Sequence, residues 1–199
     1  CLYATASGGS TTNYAAHIDG TLALDSGNPF LIQTFSDQSL SLGAGTPPSV
    51  TGTLLFGTGA GTSATNAQNS NFLGQNSGGN ATNASDSNFL GDSAGYGATN
   101  ANYSNFLGIQ AGYNASAADH SNFFGLGAGN GATNAEYSNF IVAGAGYGAT
   151  NSSYANFIGI SAGQDATDAA GSIFIGQSAG IQATSASYGV FLGAEAGGY

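Results

Sequence analysis

A phenylalanine recurs at every seventeenth position through most of this chain, and that spacing limits the possible folds more than any other feature. The eight positions are Phe72, Phe89, Phe106, Phe123, Phe140, Phe157, Phe174 and Phe191. Leu55 continues the same phase one unit earlier, so nine units run from 55 to 199. The unit reads approximately N-F-L-G-x-x-A-G-x-x-A-T-N-A-x-Y-S. Self-similarity at a fixed period is the signature of a repeat architecture.

A unit of this length is too short for a helical repeat, which needs two helices and about 33 residues or more. Its glycines also make it a poor helix. Fully extended, 17 residues span about 56 Å, which is enough for one closed turn of two short strands and two bends. The sequence therefore predicts an all-β fold, a parallel β-solenoid or β-roll whose 17-residue coils stack at about 4.8 Å and align identical residues in ladders.

The segment 1–54 does not keep the period. It contains alternating apolar runs at 21–24 and 39–42, separated by glycine and proline turns. We expect a small β cap or connector over 1–54 and the solenoid of nine repeats over 55–199, because solenoids need atypical terminal units. The last unit stops mid-repeat, so we expect either that the parent chain continues or that this end docks onto another subunit.

Two neighbouring columns of the repeat are apolar. Because adjacent strand residues point to opposite faces, the Phe column predicts a core ladder, and the column after it predicts an apolar stripe on the outside. Monomers rarely expose such a stripe, so we interpret it as an interface between copies of the chain. A flattened coil with both columns turned inward is the alternative. The interface ladder consists of Phe56, Leu73, Leu90, Leu107, Phe124, Ile141, Ile158, Ile175 and Leu192.

The composition excludes several classes of function. The chain has no Lys or Arg and ten acidic residues, for a formal charge of −10. Without cations it cannot neutralise phosphates, so we expect no nucleic-acid binding, no basic membrane patch and no phosphate-binding lysine. No apolar run is long enough for a transmembrane helix. The 12 Phe and 10 Tyr argue against disorder.

The titratable side chains do not form a convincing catalytic or metal site, so we predict a non-enzymatic protein without a cofactor or metal. The acids of the repeats are scattered over variable positions: Asp86, Asp92, Asp119, Glu136, Asp165, Asp168 and Glu195. Solvated substitutions explain them best, with a weak calcium site at Asp165 and Asp168 as a minor alternative. His120 occupies a position where other units have Tyr, which indicates a tolerated surface variant. Cys1 fits a truncated terminus, a lipidated terminus or an interchain bond, and we favour truncation.

The run 104–108, with Ala111, Gly112 and Ala115 after it, resembles the head repeats of YadA-like trimeric adhesins and related repeats in bacterial and phage tail-fibre proteins. The resemblance covers 55–199. It implies a left-handed parallel β-roll, usually trimeric, displayed outside the cell, with strands packed on a shared apolar axis. The family unit is shorter and has an aliphatic residue where this chain has Phe.

We therefore expect an extracellular structural protein, a self-associating rod of a cell-surface filament, an adhesin or a virion tail fibre. Its partners would be copies of itself, as a trimer or end to end, and a surface glycan or host surface. A regular Thr column keeps an ice-binding solenoid as an alternative: Thr65, Thr82, Thr99, Ser116, Thr133, Thr150, Thr167 and Thr184. A glycan-binding tailspike-like module is a further alternative. The scattered acids disfavour a glycan-cleaving tailspike, which would need a cleft with paired carboxylates.

Overall fold

The computed structural model describes residues 22–25, 28–30, 32–34, 40–42 and 52–198, and every regular element in these ranges is a β-strand. The strands are β1 (Leu22–Asp25), β2 (Asn28–Phe30), β3 (Ile32–Thr34), β4 (Leu40–Leu42), β5 (Leu54–Phe56), β6 (Asn71–Leu73), β7 (Asn88–Leu90), β8 (Asn105–Leu107), β9 (Asn122–Phe124), β10 (Asn139–Ile141), β11 (Asn156–Ile158), β12 (Ile173–Ile175) and β13 (Val190–Leu192).

Strands β5 to β13 pair in parallel and in sequence order, each displaced from the last by one coil of the repeat. Identical columns meet, so that Phe106 pairs with Phe89 on one side and Phe123 on the other. This arrangement confirms the predicted all-β parallel solenoid. Strand β4 pairs in parallel with β5, and β3 pairs antiparallel with β4, so both strands continue the sheet toward the N-terminus. Strands β1 and β2 form a separate antiparallel pair.

The inside of each coil after the first holds one phenyl ring surrounded by small side chains, and the first coil holds Leu55 in its place. Seven rings, from Phe72 to Phe174, are fully buried, and Phe191 in the last coil is half-buried. Centroids of successive rings lie 4.6–5.0 Å apart, with ring planes within 11° of parallel. Buried Ala residues complete the interior; in the coil of Phe106 they are Ala111, Ala115 and Ala118.

Each ring lies against the glycine six positions after it in the same coil. A Cβ atom on Gly112 would overlap the ring of Phe106, and the same holds for Gly129 with Phe123. These two glycines also adopt φ of +63° and +64°, a conformation that L-residues with a side chain rarely adopt. The glycine column of the sequence is therefore the part of the coil backbone against which the Phe rings pack.

A buried serine column closes the remaining side of the interior. The Oγ of Ser104 donates a hydrogen bond to the carbonyl of Ala118 at 2.6 Å and accepts one from the amide of Ser121 at 3.1 Å. Ser121 repeats both contacts with Ala135 and Ser138 in the next coil. Within the described residues no buried side-chain nitrogen or oxygen lacks a hydrogen-bond partner, which is what a polar column in a closed interior requires.

The second strand of the coil is shorter than the sequence suggested. It is reduced to a single parallel bridge per coil, made by the Thr column from Thr65 to Thr184. Turns occupy the remainder of the coil, because residues in the left-handed conformation recur there. In one coil these residues include Gln110, Gly112, Asn114, Ala117 and His120. Local bonds, such as the amide of Tyr113 to the carbonyl of Gln110, alternate with bonds to neighbouring coils. A continuous extended strand cannot form through residues of positive φ.

Replacing Phe106 by Asp should unfold the stack around it. The substitution removes a fully buried ring from between two others and places a carboxylate among Ala side chains, so the loss should exceed the roughly 3–5 kcal/mol of a Phe-to-Ala deletion. Asp119→Asn is the control, since an amide retains the oxygen that accepts from Asn102, and should change stability by about 0.5 kcal/mol or less. Chemical denaturation measures both, and equal losses would contradict the ladder architecture.

Replacing Val142 by Gly should stabilise the protein. Val142 stands in a column that is otherwise glycine and has φ of +91°, where its glycine neighbours Gly125 and Gly159 have +135° and +141°. The strain of a β-branched residue in this conformation lowers the stability of the folded state by about 1–3 kcal/mol. Glycine avoids that strain but loses more chain entropy on folding, which costs roughly 0.5–1 kcal/mol. We expect a net gain of about 1 kcal/mol in the free energy of unfolding. The reverse change, Gly108→Val, should lower it; a Val142→Gly protein less stable than the parent would refute the assignment of strain.

Candidate functional site

The outer face of the strand sheet is the first candidate surface. In each N-F-L strand the Phe points inward, so the residues on either side of it point outward. The column before the Phe is a ladder of asparagines, each of which donates its Nδ2 hydrogen to the Oδ1 of the next at 2.7–2.9 Å. It runs from Asn71 to Asn156 and gives way to apolar residues at Leu54, Ile173 and Val190.

The column after the Phe is the predicted interface ladder, and it lies on the outside of the coil. Leu73, Leu90, Phe124, Ile141 and Ile158 are half-buried. The more exposed members are Phe56, Leu107, Ile175 and Leu192, with 54, 37, 40 and 64% of their surface accessible. A flattened coil that turned both apolar columns inward does not describe this geometry.

A groove runs between the asparagine ladder and the interface ladder. It has a volume of about 390 Å³ and extends along the first coils. Asn88 and Asn105 line one side of it, and Leu90 and Leu107 line the other. No residue of β5 to β13 is charged. The strand face therefore combines an apolar ridge, a neutral polar ridge and no net charge in a protein of charge −10.

The Thr column forms a second regular surface. Its members from Thr82 to Thr167 are half-exposed. The alanine directly before each of them is buried, and so is the residue two positions after each of them. Beside it runs another asparagine ladder, in which Asn66 bonds to Asn83 and Asn83 to Asn100. The column thus faces outward rather than into the coil.

Three of the acids occupy the receiving end of a short side-chain ladder. The side-chain bonds in these ladders all run from an asparagine to the coil that follows, so an Asp, which has no hydrogen to donate, can stand only at the end of a ladder. Asp86 accepts from Asn69 at 3.3 Å. Asp119 accepts two hydrogen bonds from Asn102, one from the side-chain Nδ2 at 3.2 Å and one from the backbone N–H at 2.7 Å. Asp168 likewise accepts from Asn151 at 2.7 Å. These carboxylates are exposed or half-exposed and are held by amides, not by one another.

The rings of Tyr103, His120, Tyr137 and Tyr154 form a third surface. They stack on successive coils with centroids 4.8–5.1 Å apart. The sequence alone marked His120 as a variant of the Tyr column; the structure shows it stacked between Tyr103 and Tyr137. The recurrence of an aromatic residue at one fixed position of the unit was the signal that could have identified this surface.

Among the described residues there is no group of three or more His, Cys, Asp or Glu side chains that could hold a metal ion. The carboxylate of Asp165 lies 3.4 Å from the Nε2 of Gln164, and Asp168 is engaged with Asn151. In the part of the chain that the structure covers, no helix is long and apolar enough to cross a membrane. Cys1 and residues 1–21 lie outside the described residues.

Comparison with known proteins returned no relative from which a function can be transferred. No protein-family model matches the chain, and a search of curated proteins found no significant match. Function has to be argued from the surfaces themselves.

Proposed function

We propose that this protein is a non-enzymatic, extracellular structural protein, a β-solenoid rod that self-associates in a cell-surface filament, an adhesin or a tail fibre. The observation that carries the proposal is the interface ladder, which continues along the outside of nine strands on a face without charge. Soluble monomers rarely leave a continuous apolar stripe in water. The repetition of one coil, with scattered acids held by amides, suits a mechanical role better than a catalytic one.

The strand face by itself is smaller than a standard interface. Nine strands about 4.8 Å apart make a strip about 40 Å long, and three residues per strand at about 3.3 Å each make it about 10 Å wide. The resulting footprint of about 400 Å² is about half of the roughly 800 Å² per partner that specific protein interfaces bury, so a stable contact would also include the turns that flank the strands.

Charge favours the same face for contact between copies. Two molecules of charge −10 repel each other, and contact through a face with carboxylates would bring like charges together. The strand face avoids this cost, and the asparagine ladder beside the apolar ridge supplies neutral polar side chains that are held in place by bonds to one another. The rod would therefore associate through its strands and leave its acidic turns in solvent.

Replacing Leu107 and Ile158 together by Thr should weaken self-association by at least tenfold, because two apolar side chains leave the contact while the β-propensity of the strand is kept. Sedimentation equilibrium measures the effect. The control is Ile181→Thr, which removes an apolar side chain from a turn, and it should leave association unchanged. A parent protein that is monomeric at high concentration, or equal effects of both changes, would contradict the proposal.

Ice binding is the second candidate, because the Thr column is regular, faces outward and has an asparagine ladder beside it over most of its length. This hypothesis predicts that the parent protein shows thermal hysteresis in dilute solution. A protein with both Thr99→Gln and Thr133→Gln should show less hysteresis, because the bulkier side chains disturb the flat column. Freezing-point measurements test it, and the matched change Gln75→Asn/Gln177→Asn, beyond the strand face, should have no effect. If the parent protein shows no hysteresis, the Thr column serves only to bridge the coils.

A further inference from the structure

The apolar surface of the strand face widens in the middle of the rod. The third position after the core phenylalanine lies just beyond the strand, and in three of the middle coils it holds Ile109, Leu126 and Ile160, whose side chains are 51, 61 and 53% exposed. In the fourth middle coil this position holds Ala143, and the residue before it, Val142, supplies an aliphatic side chain that is 40% exposed. Ile109, Leu126, Val142 and Ile160 are together termed the corner patch.

The corner patch is continuous along the rod because the backbones of its coils pair in register. The amide of Gly127 donates to the carbonyl of Ile109 at 2.9 Å, and the amide of Gly144 donates to the carbonyl of Leu126 at 2.9 Å. Neighbouring coils are therefore about 4.8 Å apart at this position. The interface ladder lies only two positions earlier in each coil, so the two apolar surfaces adjoin.

The coil does not require an aliphatic residue at this position. Other coils have Thr58, Gln75, Asp92 and Gln177 there, and all four are exposed. Asp92 stands in the coil directly before the patch, and Gln177 in the coil directly after it. The aliphatic residues are thus confined to four adjacent coils, where the fold would also accept polar ones.

Val142 belongs to the patch at a cost to the stability of the fold. Its φ of +91° is a conformation that β-branched residues rarely adopt. Every other coil of the repeat has glycine at the equivalent position, which would avoid the strain. Because the side chain is 40% exposed, burial within the molecule offsets little of this cost. A strained backbone at an exposed side chain is a reason to look for a function.

The surface around the patch carries no charge. In these four coils the five positions from the asparagine ladder to the corner patch contain no Asp or Glu, although the chain has a charge of −10. A basic partner would be attracted to the acidic turns instead. An uncharged contact surface favours a partner that is itself acidic, because it keeps the two sets of carboxylates apart. A second copy of this chain is such a partner.

The patch also supplies surface that the strand face lacks. The strand face alone provides about half of the area of a standard interface. Two further positions in each of four coils add about 130 Å². The continuous uncharged surface then reaches about two thirds of the roughly 800 Å² per partner that specific interfaces bury.

We propose, on the basis of the self-association proposed for the strand face, that two copies of the chain meet at the corner patch together with strands β8 to β11. The centre of the contact is then the middle of the rod, where the apolar surface is widest, and not its ends. Val142 has its function in this contact: it lowers the stability of the single chain and is buried when the second copy binds.

Val142→Gly separates a role in the contact from a role in the fold. Chemical denaturation in dilute solution, where association does not add to stability, should show a more stable chain because the strain is gone. Sedimentation equilibrium should show self-association weakened threefold or more, because an apolar side chain leaves the contact. Association that is unchanged or tighter in the Val142→Gly protein would overturn the proposal.

Leu126→Gln tests the patch without disturbing the coil, since the same position holds Gln177 elsewhere. It should weaken self-association threefold or more. The matched control is Tyr147→Gln, which removes an exposed apolar side chain from the same middle coils at a position where the next coil has Gln164. The control should leave association unchanged, and equal effects of the two changes would count against the patch.

Gln177→Leu tests the same surface by a gain of affinity, which loss of folding cannot mimic. It extends the patch by one coil without changing the charge and should tighten self-association threefold or more. Gln164→Leu makes the same chemical change outside the patch and should have no such effect. No tightening with Gln177→Leu, or equal tightening with both, would overturn the proposal.

The remaining outcomes separate this proposal from the proposed function. If the Leu107 and Ile158 changes weaken association while Val142→Gly and Leu126→Gln do not, the strand face associates without the corner patch, and only the present proposal is overturned. A parent protein that is monomeric at high concentration overturns both. If that monomer binds neutral phosphatidylcholine vesicles and Leu126→Gln abolishes the binding, the patch contacts lipid and not a second copy.

Discussion

The contact between each phenyl ring and the glycine six positions later is the constraint on which the rest of the structure depends. A ring fills the interior of a coil this short only if the opposite wall carries no side chain, as at Phe106 and Gly112. With the ring in place, coils stack at the distance of parallel strands, and every column becomes a ladder. The small residues of the interior follow, since little space remains beside the ring.

Hydrogen bonding gives these ladders a direction, and that direction accounts for much of the unusual composition. The asparagine side chains donate toward the following coil, and an Asp, which has no hydrogen to donate, stands at the end of a ladder, as at Asp86 and Asp168. Aspartate replaces asparagine there without a change of shape. Lys and Arg have no neutral counterpart of the same shape in this repeat, and in register they would repel one another. The negative charge of the rod is therefore compatible with stacking in a way that a positive charge is not.

Much of the architecture could be predicted from the period, and the exceptions have physical causes. The Phe and Gly columns alone indicated a parallel solenoid, because no helical repeat fits so short a unit. The second strand of the coil was overestimated, since the sequence does not reveal that residues such as Gln110 and His120 adopt positive φ. The stacking of His120 between two tyrosines was also missed, because a substitution within a column looks like surface variation until the rings are seen to touch.

The sequence by itself determined the length of the coil, the column that fills its interior and the absence of any Lys or Arg, because these follow from spacing and composition alone. Only the tertiary structure decided which columns reach solvent together. The strand pattern predicts that the Leu107 column faces outward, but whether the Thr99 column and the Tyr137 column do so as well depends on where the coil bends. The bends are set by alternating left-handed residues and by bonds between coils, and a linear pattern does not record either of them.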